Sequence, residues 1–332
     1  MSEGIQFIQE ELKDLKEKLK KLEDAELITC VPSMVRIHIT KTAHKNLAIC
    51  WIFPNDYPNS PIVTELKSKV FSTKLLDGLT KMCDAEAKKH IGRQQIILIA
   101  KFVDQFLEEN PLCVCSDEIS YIKNKLITEK DEFKLKQKNS QVIMKLSQDN
   151  YYFTVKCSIP LGYHSEQMKV EITSHNFPEI FLRNFLGQAN EIARRHVTPP
   201  LRKRPKDPPF EPSPSLKPVA DFLIRDCIRR LPGERCPCCG KRGLPKDPQN
   251  IITDEHHDMF AERVYCGHIY HHKCLDVYMK TPPFEGGKKC PACGKRIYHE
   301  KWGATPQIAE QRWAHKEAKK RELDEVVDFL DS

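Results

Sequence analysis

The chain has 332 residues, of which 40% are apolar and 30% charged, and its formal net charge is +7 at pH 7. This length predicts two or three domains, and the modest charge does not match a dedicated nucleic-acid-binding module. The longest apolar run, residues 96–100, is far shorter than the roughly 18 residues of a membrane span. The first residues lack a signal-peptide pattern, so the 14 cysteines are expected to be thiols or metal ligands of a cytoplasmic or nuclear protein.

The first 112 residues combine a helix, a strand meander and further helices. Apolar residues from Ile5 to Leu22 recur every three or four positions, which predicts an amphipathic helix. This helix either packs on its own domain or forms a dimerising seam. Strands are then predicted at residues 35–39 and 47–53, a proline-rich turn at 54–61, and helices at 71–91 and 96–109. This order of elements predicts an α+β domain.

The predicted turn contains Tyr57-Pro58, shortly after a strand that ends at Phe53. A Tyr-Pro turn at this point in the order of elements resembles the RWD domain, a relative of ubiquitin-conjugating enzymes, over residues 1–112. The His-Pro-Asn tripeptide of conjugating enzymes does not follow, and Cys83 falls within a predicted helix. The resemblance therefore implies a domain that recruits substrate or partner proteins and carries no thioester cysteine.

Residues 113–232 repeat this order of elements in a weaker form. Strands are predicted at residues 151–159 and 168–172, and helices at 179–196 and 221–230. Gly162-Tyr163-His164 lies roughly where the Tyr-Pro turn lies in the first domain. Eight prolines within residues 198–218 predict an extended or disordered loop. We interpret this segment as a second, degenerate domain that resembles the RWD and ubiquitin-conjugating (UBC) folds.

Seven of the 14 cysteines lie between Cys236 and Cys293, in a cluster that also contains histidines. Four pairs with short gaps stand out, Cys236/Cys239, Cys266/His268, His271/Cys274 and Cys290/Cys293. Zn²⁺ prefers four nitrogen or sulfur ligands in a tetrahedron, so eight ligands suffice for two closed, structural sites. Cys238 and His272 could each replace a neighbour, but only Cys239 and His271 keep the two-residue gaps. The other seven cysteines are expected to be buried hydrophobic residues.

The spacing of these eight ligands resembles the RING finger in its H2 variant, over residues 233–301. The resemblance implies two structural Zn²⁺ ions per chain, held in a cross-brace. The first would be bound by Cys236, Cys239, His271 and Cys274. The second would be bound by Cys266, His268, Cys290 and Cys293.

In RING ligases both zinc loops form a shallow groove for the ubiquitin-conjugating enzyme, the E2. The resemblance implies that the E2 contacts in this chain are Pro237, Cys238, Tyr278 and Pro291. Tyr278 stands where the family usually has tryptophan, and Pro291 follows the seventh ligand as is usual. Cys238 stands where isoleucine or leucine is usual, and Gly294 follows the eighth ligand, where the family often has arginine.

A final helix is predicted at 307–330, within a C-terminal segment that covers residues 302–332. An apolar stripe near its end consists of Leu323, Val326, Val327 and Leu330. This stripe either packs back on the chain or docks in a groove of a partner protein. The sequence leaves both interpretations open.

The sequence thus predicts an α+β chain of two RWD/UBC-like domains, a RING finger and a C-terminal helix, an architecture similar to that of the Fanconi anaemia ligase subunit L. The resemblance implies a RING-type E3 ubiquitin ligase, which positions a ubiquitin-charged E2 for transfer to a substrate lysine and has no catalytic residue of its own. The expected partners are an E2, ubiquitin and a protein substrate, with neither a membrane nor nucleic acid. The alternative is a non-catalytic, zinc-stabilised scaffold in a multi-subunit assembly. Cys238 and Gly294 favour the scaffold, whereas Tyr278 and Pro291 favour the ligase.

Overall fold

The structure is a computed structural model that describes residues 3–200, 208–303 and 306–330. The chain divides into two compact units. The first unit comprises Met1–Lys145, Thr154–Thr173 and Leu186–Phe222, and the second comprises Leu146–Phe153, Ser174–Phe185 and Leu223–Ser332. The domain boundaries expected from the sequence, after residues 112, 232 and 301, remain predictions.

Four antiparallel strands form the first sheet in the order β1-β2-β3-β4. The strands are β1 Ala25–Val31, β2 Met34–Thr42, β3 Lys45–Ile52 and β4 Val63–Lys67. Ile37 and Ile49 are paired across β2 and β3 and are fully buried, because alternate residues of a strand point to the same face. The core also contains apolar side chains of α1 Glu3–Lys18, α2 Thr73–Lys88 and α3 Ile96–Glu109. Leu12 and Leu15 of α1 are buried in it, so the predicted stripe of this helix packs on its own domain.

The same order of elements occurs a second time, with one helix before four strands and two helices after them. The elements are α4 Ser116–Tyr121, β5 Glu132–Lys136, β6 Gln141–Gln148, β7 Tyr151–Ser158, β8 Lys169–His175, α5 Glu179–Val197 and α6 Leu216–Asp221, which continues as a π-helix to Arg229. The sheet order is β5-β6-β7-β8. Helix α6 begins inside the segment that was predicted to be a proline-rich loop. The helix tolerates Pro218 because this residue lies in its first turn, where a missing N–H breaks no helical hydrogen bond. Residues 201–207 of that loop lie outside the described part of the chain.

A buried tyrosine–glutamate contact connects three elements of the first repeat. Tyr57, in the turn after β3, donates a hydrogen bond to Glu11 of α1 at 2.5 Å. The other carboxylate oxygen of Glu11 accepts the backbone N–H groups of Gln95 and Ile96, at 2.7 and 2.8 Å. Glu11 therefore satisfies donors at the start of α3 that would otherwise be buried without a partner.

The second repeat contains the same contact at equivalent positions. Tyr163, in the turn after β7, donates to Glu118 of α4 at 2.7 Å, and Glu118 accepts the backbone N–H of Lys217 at the start of α6 at 2.8 Å. Tyr163 thus occupies the place that Tyr57 has in the first repeat. The shared order of elements and the shared contact indicate that the two halves have the same local architecture.

The second unit contains a C-terminal module, which we define as residues 231–303. In it, β9 Ala261–Arg263 pairs antiparallel with β10 Ile269–His271, and α7 His272–Lys280 follows directly. A long helix, α8 Pro306–Leu330, comes after the module. Within the described ranges, no helix combines the length and apolar character that crossing a membrane requires.

Candidate metal centres

Two clusters of cysteine and histidine side chains lie in the C-terminal module. Within each cluster the four potential ligand atoms lie within 4.8 Å of one another. The first cluster consists of Cys236, Cys239, His271 and Cys274, and the second of Cys266, His268, Cys290 and Cys293. The structure therefore brings together the same two sets of four residues that the resemblance to the RING finger implied. Along the chain the first and third pairs belong to the first cluster, and the second and fourth pairs belong to the second cluster. The chain therefore passes from one cluster to the other after each pair.

The two C-x2-C pairs have the same backbone geometry. In each turn the backbone carbonyl of the first cysteine accepts a hydrogen bond from the backbone N–H of the glycine that follows the second cysteine. Gly240 donates to Cys236 at 2.9 Å, and Gly294 donates to Cys290 at 2.8 Å. Both glycines have positive φ, +70° and +69°. A residue with a Cβ is strained in this conformation, which explains why glycine follows each pair.

Hydrogen bonds outside the clusters orient two of the ligands. His271 directs Nδ1 at Cys239 Sγ, 3.3 Å away, while its Nε2 lies 2.9 Å from the backbone carbonyl of Arg242 and donates to it. Tyr270 donates its hydroxyl proton to Cys290 Sγ at 2.9 Å. Contacts of this kind fix the ring orientation of a metal-binding histidine and stabilise a thiolate. Neither contact was predicted from the sequence, because the spacing of the ligands says nothing about their neighbours.

The electrostatics of the clusters favour a bound cation. Burial and the neighbouring thiolates of the first cluster together raise the pKa of Cys274 to about 12. Burial also acts to raise the pKa of Cys290, but the Tyr270 hydroxyl and backbone N–H groups donate to its sulfur and hold its pKa below the usual value. Three thiols and one imidazole within 4.8 Å form a donor set that suits Zn²⁺, whose charge removes the repulsion between thiolates.

The structure places Cys238 and His272 outside the two clusters. Cys238 is exposed, and burial of its sulfur together with the thiolates nearby raises its pKa to about 11. His272 directs Nδ1 at the carboxylate of Glu262, 3.0 Å away, and so faces away from the ligand positions. Of the alternatives that the sequence left open, Cys239 and His271 are the residues that join the first cluster.

Glu262 is a buried carboxylate that sequence analysis did not identify. Its side chain is 1% exposed and contacts His272 at 3.0 Å, His299 at 3.2 Å and Lys301 at 2.8 Å. Burial acts to raise its pKa, but these three partners outweigh it and hold the pKa of Glu262 at about 2. Trp302 lies against the ring of His299 and donates to Asp276 of α7 at 2.9 Å. This network attaches the segment after the last ligand to β9 and α7.

The four residues predicted to contact an E2 have different environments. Pro291 and Cys238 are exposed, and Pro237 is half-buried. Tyr278 is half-buried against the small apolar core of the module, and its hydroxyl donates to the backbone carbonyl of Lys289 at 2.7 Å. Tyr278 therefore has a structural contact in addition to an accessible surface, and its role in binding an E2 remains a prediction.

Cys83 has the properties of a structural cysteine. It lies in α2 with 0% exposure, and burial raises its pKa to about 12. We expect that incubation with ubiquitin-activating enzyme, an E2 and ubiquitin leaves no reducible ubiquitin adduct on Cys83, because a buried neutral thiol is not a nucleophile. Mass spectrometry under non-reducing conditions measures this, with Cys83→Ser as the control. A thioester that appears in the wild type and disappears in the variant would contradict the prediction.

Part of the chain is similar in sequence to a known protein. No protein-family model matches the chain. Over 83 residues the chain is 34% identical to the E3 ubiquitin-protein ligase DTX4 of Mus musculus, and this segment covers 24% of the chain and 13% of the mouse protein. The chain therefore matches only a small part of that ligase. The two Cys/His clusters could each hold a metal ion.

Proposed function

We propose that this protein is a RING-type E3 ubiquitin ligase with two structural Zn²⁺ ions. The observation that carries the proposal is the alternation of ligand pairs between two four-residue clusters, which is the arrangement of a cross-braced RING finger. The partial similarity to a ubiquitin ligase supports it. The repeated helix–sheet–helix order with its Tyr57 and Tyr163 contacts supports two RWD-like domains before the RING.

The chemistry of the clusters supports zinc in a structural role. Each cluster offers three sulfur atoms and one nitrogen, which completes a tetrahedron and leaves no open position for a reacting water. The apolar core of the module is small among the described residues, and such a core rarely stabilises a fold by itself. The metal ions would therefore supply the stability that burial of apolar surface does not.

A ligase of this type acts by positioning and needs no nucleophile of its own. The resemblance to RING ligases assigns the E2 surface to Pro237, Cys238, Tyr278 and Pro291, all of which are exposed or half-buried. Binding of a charged E2 there would hold its thioester for attack by a lysine, because orientation converts a bimolecular encounter into a step within a complex. The RWD-like domains would recruit the substrate or partner proteins.

The experiment that tests this function is lysine discharge. The purified full-length chain is added to a panel of ubiquitin-charged E2 enzymes with free lysine, and loss of the thioester is followed over time. At least one E2 is expected to discharge faster with the protein than without it, and Cys290→Ala is expected to abolish the stimulation. If no E2 in a broad panel responds to fully metallated protein, the ligase proposal is wrong.

Tyr278→Ala is expected to weaken this discharge. Truncation of an aromatic anchor at an interface commonly costs about 2 kcal/mol, or roughly thirtyfold in affinity, so discharge should fall by a similar factor below saturating E2. Zinc content should stay unchanged because Tyr278 is not a ligand. The matched control is Tyr152→Ala, which removes a half-buried tyrosine outside the module. If Tyr278→Ala keeps full activity while it is folded and metallated, Tyr278 does not belong to the E2 surface.

A non-catalytic scaffold is the second candidate, and the geometry at Gly294 favours it. Gly294 closes the last metal-binding turn with φ of +69°, so this position suits glycine and not the arginine that RING ligases often carry there. Arg296, two positions later, is exposed and lies over the ring of Tyr298. A scaffold would retain both metal ions and bind partner proteins, but it would stimulate no discharge.

A further inference from the structure

A groove of about 970 Å³ lies between the C-terminal module and α8. Helix α8 contributes Ala309, Arg312, Trp313 and Lys316, and their spacing of three or four positions places them on one face of the helix. The module supplies the rest of the lining, which includes Trp302. The volume lies at the upper end of the range for ligand-binding pockets, about 300–1,000 Å³.

The groove has a surplus of positive charge. Six basic side chains line it, and none of the described lining residues carries a carboxylate. Lys280 and Lys301 each pair with a carboxylate beside the groove. The other four form no ion pair with any residue that the structure describes, and they are Lys288, Arg296, Arg312 and Lys316. The groove therefore attracts an anionic ligand.

Lys288 shows most clearly that the groove lacks an anionic partner. It is 8% exposed, and its ammonium group lies 4.6 Å from the centre of the Tyr278 ring and 5.4 Å from that of Phe284. The faces of aromatic rings attract a cation, but they carry no net charge to neutralise it. A buried cation without a counter-charge is unfavourable, so an anionic group bound in the groove would stabilise Lys288.

Aromatic rings supply most of the apolar surface of the groove. Five aromatic residues line it, compared with one alanine, one isoleucine and one methionine. Tyr265 and Tyr298 are 86% and 61% exposed, and Arg296 lies 5.4 Å from the centre of the Tyr298 ring. Accessible rings beside unpaired cations match a ligand that alternates planar and anionic groups, because nucleobases stack on rings while phosphates contact cations. An acidic peptide would match the charge, but few of its side chains are planar.

We propose that this groove binds single-stranded nucleic acid. The bases would stack on the exposed rings, and the phosphates would contact the four unpaired cations. Stacking of this kind depends little on the identity of the base, so we expect weak sequence preference. A double helix keeps its base faces covered and would lose the stacking contacts. The net charge of +7 averages over the whole chain, and for that reason it did not indicate this local concentration of charge.

Fluorescence anisotropy with the zinc-loaded full-length chain tests the proposal. The probes are labelled oligouridine RNA and oligothymidine DNA of about 12 nucleotides, a length within the range that such sites cover. At least one single strand is expected to bind, with affinity that falls as the salt concentration rises. A DNA duplex of the same length should bind more weakly by roughly tenfold or more, because its bases cannot stack on the rings. Neither E2 nor ubiquitin is present, so the result is independent of the proposed ligase activity.

Two variants separate the contribution of charge from that of stacking. Arg312→Ala combined with Lys316→Ala removes two phosphate contacts, so the plot of log affinity against log salt concentration should become shallower by about 1.4. Trp313→Ala removes one ring and should weaken binding by roughly tenfold or more without a change in that slope. Loss of fold would not divide the effects in this way. Alanine favours a helix, so α8 should persist in both variants.

The matched control is Lys16→Ala with Lys20→Ala, two exposed lysines of the N-terminal helical region at the same spacing. It changes the net charge by the same amount and should leave binding intact. The proposal is overturned if neither single strand binds, if the duplex binds as tightly as the single strand, or if the control weakens binding as much as the groove variants do. It is also overturned if a glutamate–tyrosine copolymer displaces the oligonucleotide at equal charge concentration, since that result would identify an acidic peptide as the ligand. Tighter binding of the uridine strand would identify RNA as the preferred form, and tighter binding of the thymidine strand would identify DNA.

Discussion

Replacing Cys290 by alanine is expected to unfold the C-terminal module while the first sheet remains folded. The wild type is expected to bind two zinc ions, and structural zinc sites typically contribute about 10–16 kcal/mol of apparent binding free energy. The variant retains only three ligands in its second cluster. Because the ligand pairs alternate between the clusters, loss of one site also frees a segment that holds the other. The apolar core of the module is too small to compensate.

Metal analysis and hydrogen exchange measure this result. Zinc per chain should fall below two, and the amides of β9, β10 and α7 should lose protection while those of β1 to β4 keep it. Cys238→Ala is the matched control, since Cys238 lies in the same module and outside both clusters. Full zinc content and unchanged protection in Cys290→Ala would contradict the assignment of the second cluster. Loss of protection across the first sheet would contradict its independence from the module.

Glu262→Gln is expected to destabilise the module by about 3 kcal/mol at neutral pH. The substitution keeps the shape of the side chain and removes the charge that His299 and Lys301 contact. Removing one partner of a buried ion pair costs about 3–5 kcal/mol, and partial exposure of Lys301 places the expectation at the lower end. Chemical denaturation followed by Trp302 fluorescence measures the difference. Glu285→Gln removes an exposed carboxylate of the same module and should change stability by less than about 0.5 kcal/mol.

The pH dependence gives a second test of Glu262. Its pKa is about 2 in the folded protein, below the ordinary value of 4.5. A carboxylate whose pKa is lowered by folding stabilises the fold above its unfolded pKa and loses this contribution as the pH falls towards its folded pKa. The stability difference between wild type and Glu262→Gln should therefore shrink as the pH falls from 4.5 to about 2. Both proteins have the same metal ligands, so acid-induced loss of metal cancels in the comparison. A difference that stays the same between pH 4.5 and 2 would contradict the role of the Glu262 charge.

Local sequence patterns predicted part of the elements, among them β2, β3, β7 and the long helices, and they identified the Cys/His pairs. Strand alternation predicted the buried positions of Ile37 and Ile49, because the side-chain period of a strand is written in consecutive residues. The short gaps identified the four Cys/His pairs, because such a gap lets both side chains point at one ion, whereas the combination of pairs into two clusters came from the resemblance to the RING finger. Tyr57 and Tyr163 were singled out by the turns in which they lie. In each case the information is contained in a few neighbouring residues.

Contacts between distant segments were decided only by the tertiary structure. Glu11 and Glu118 have no local signature, and their importance arises when they meet N–H groups at the start of α3 and α6. The same is true of Glu262, whose partner His299 lies in a different segment of the module. The groove beside α8 likewise depends on where the helix packs and not on its own sequence. Periodicity and spacing describe what a segment can bury or bind, whereas its partner is chosen by the packing of the whole fold.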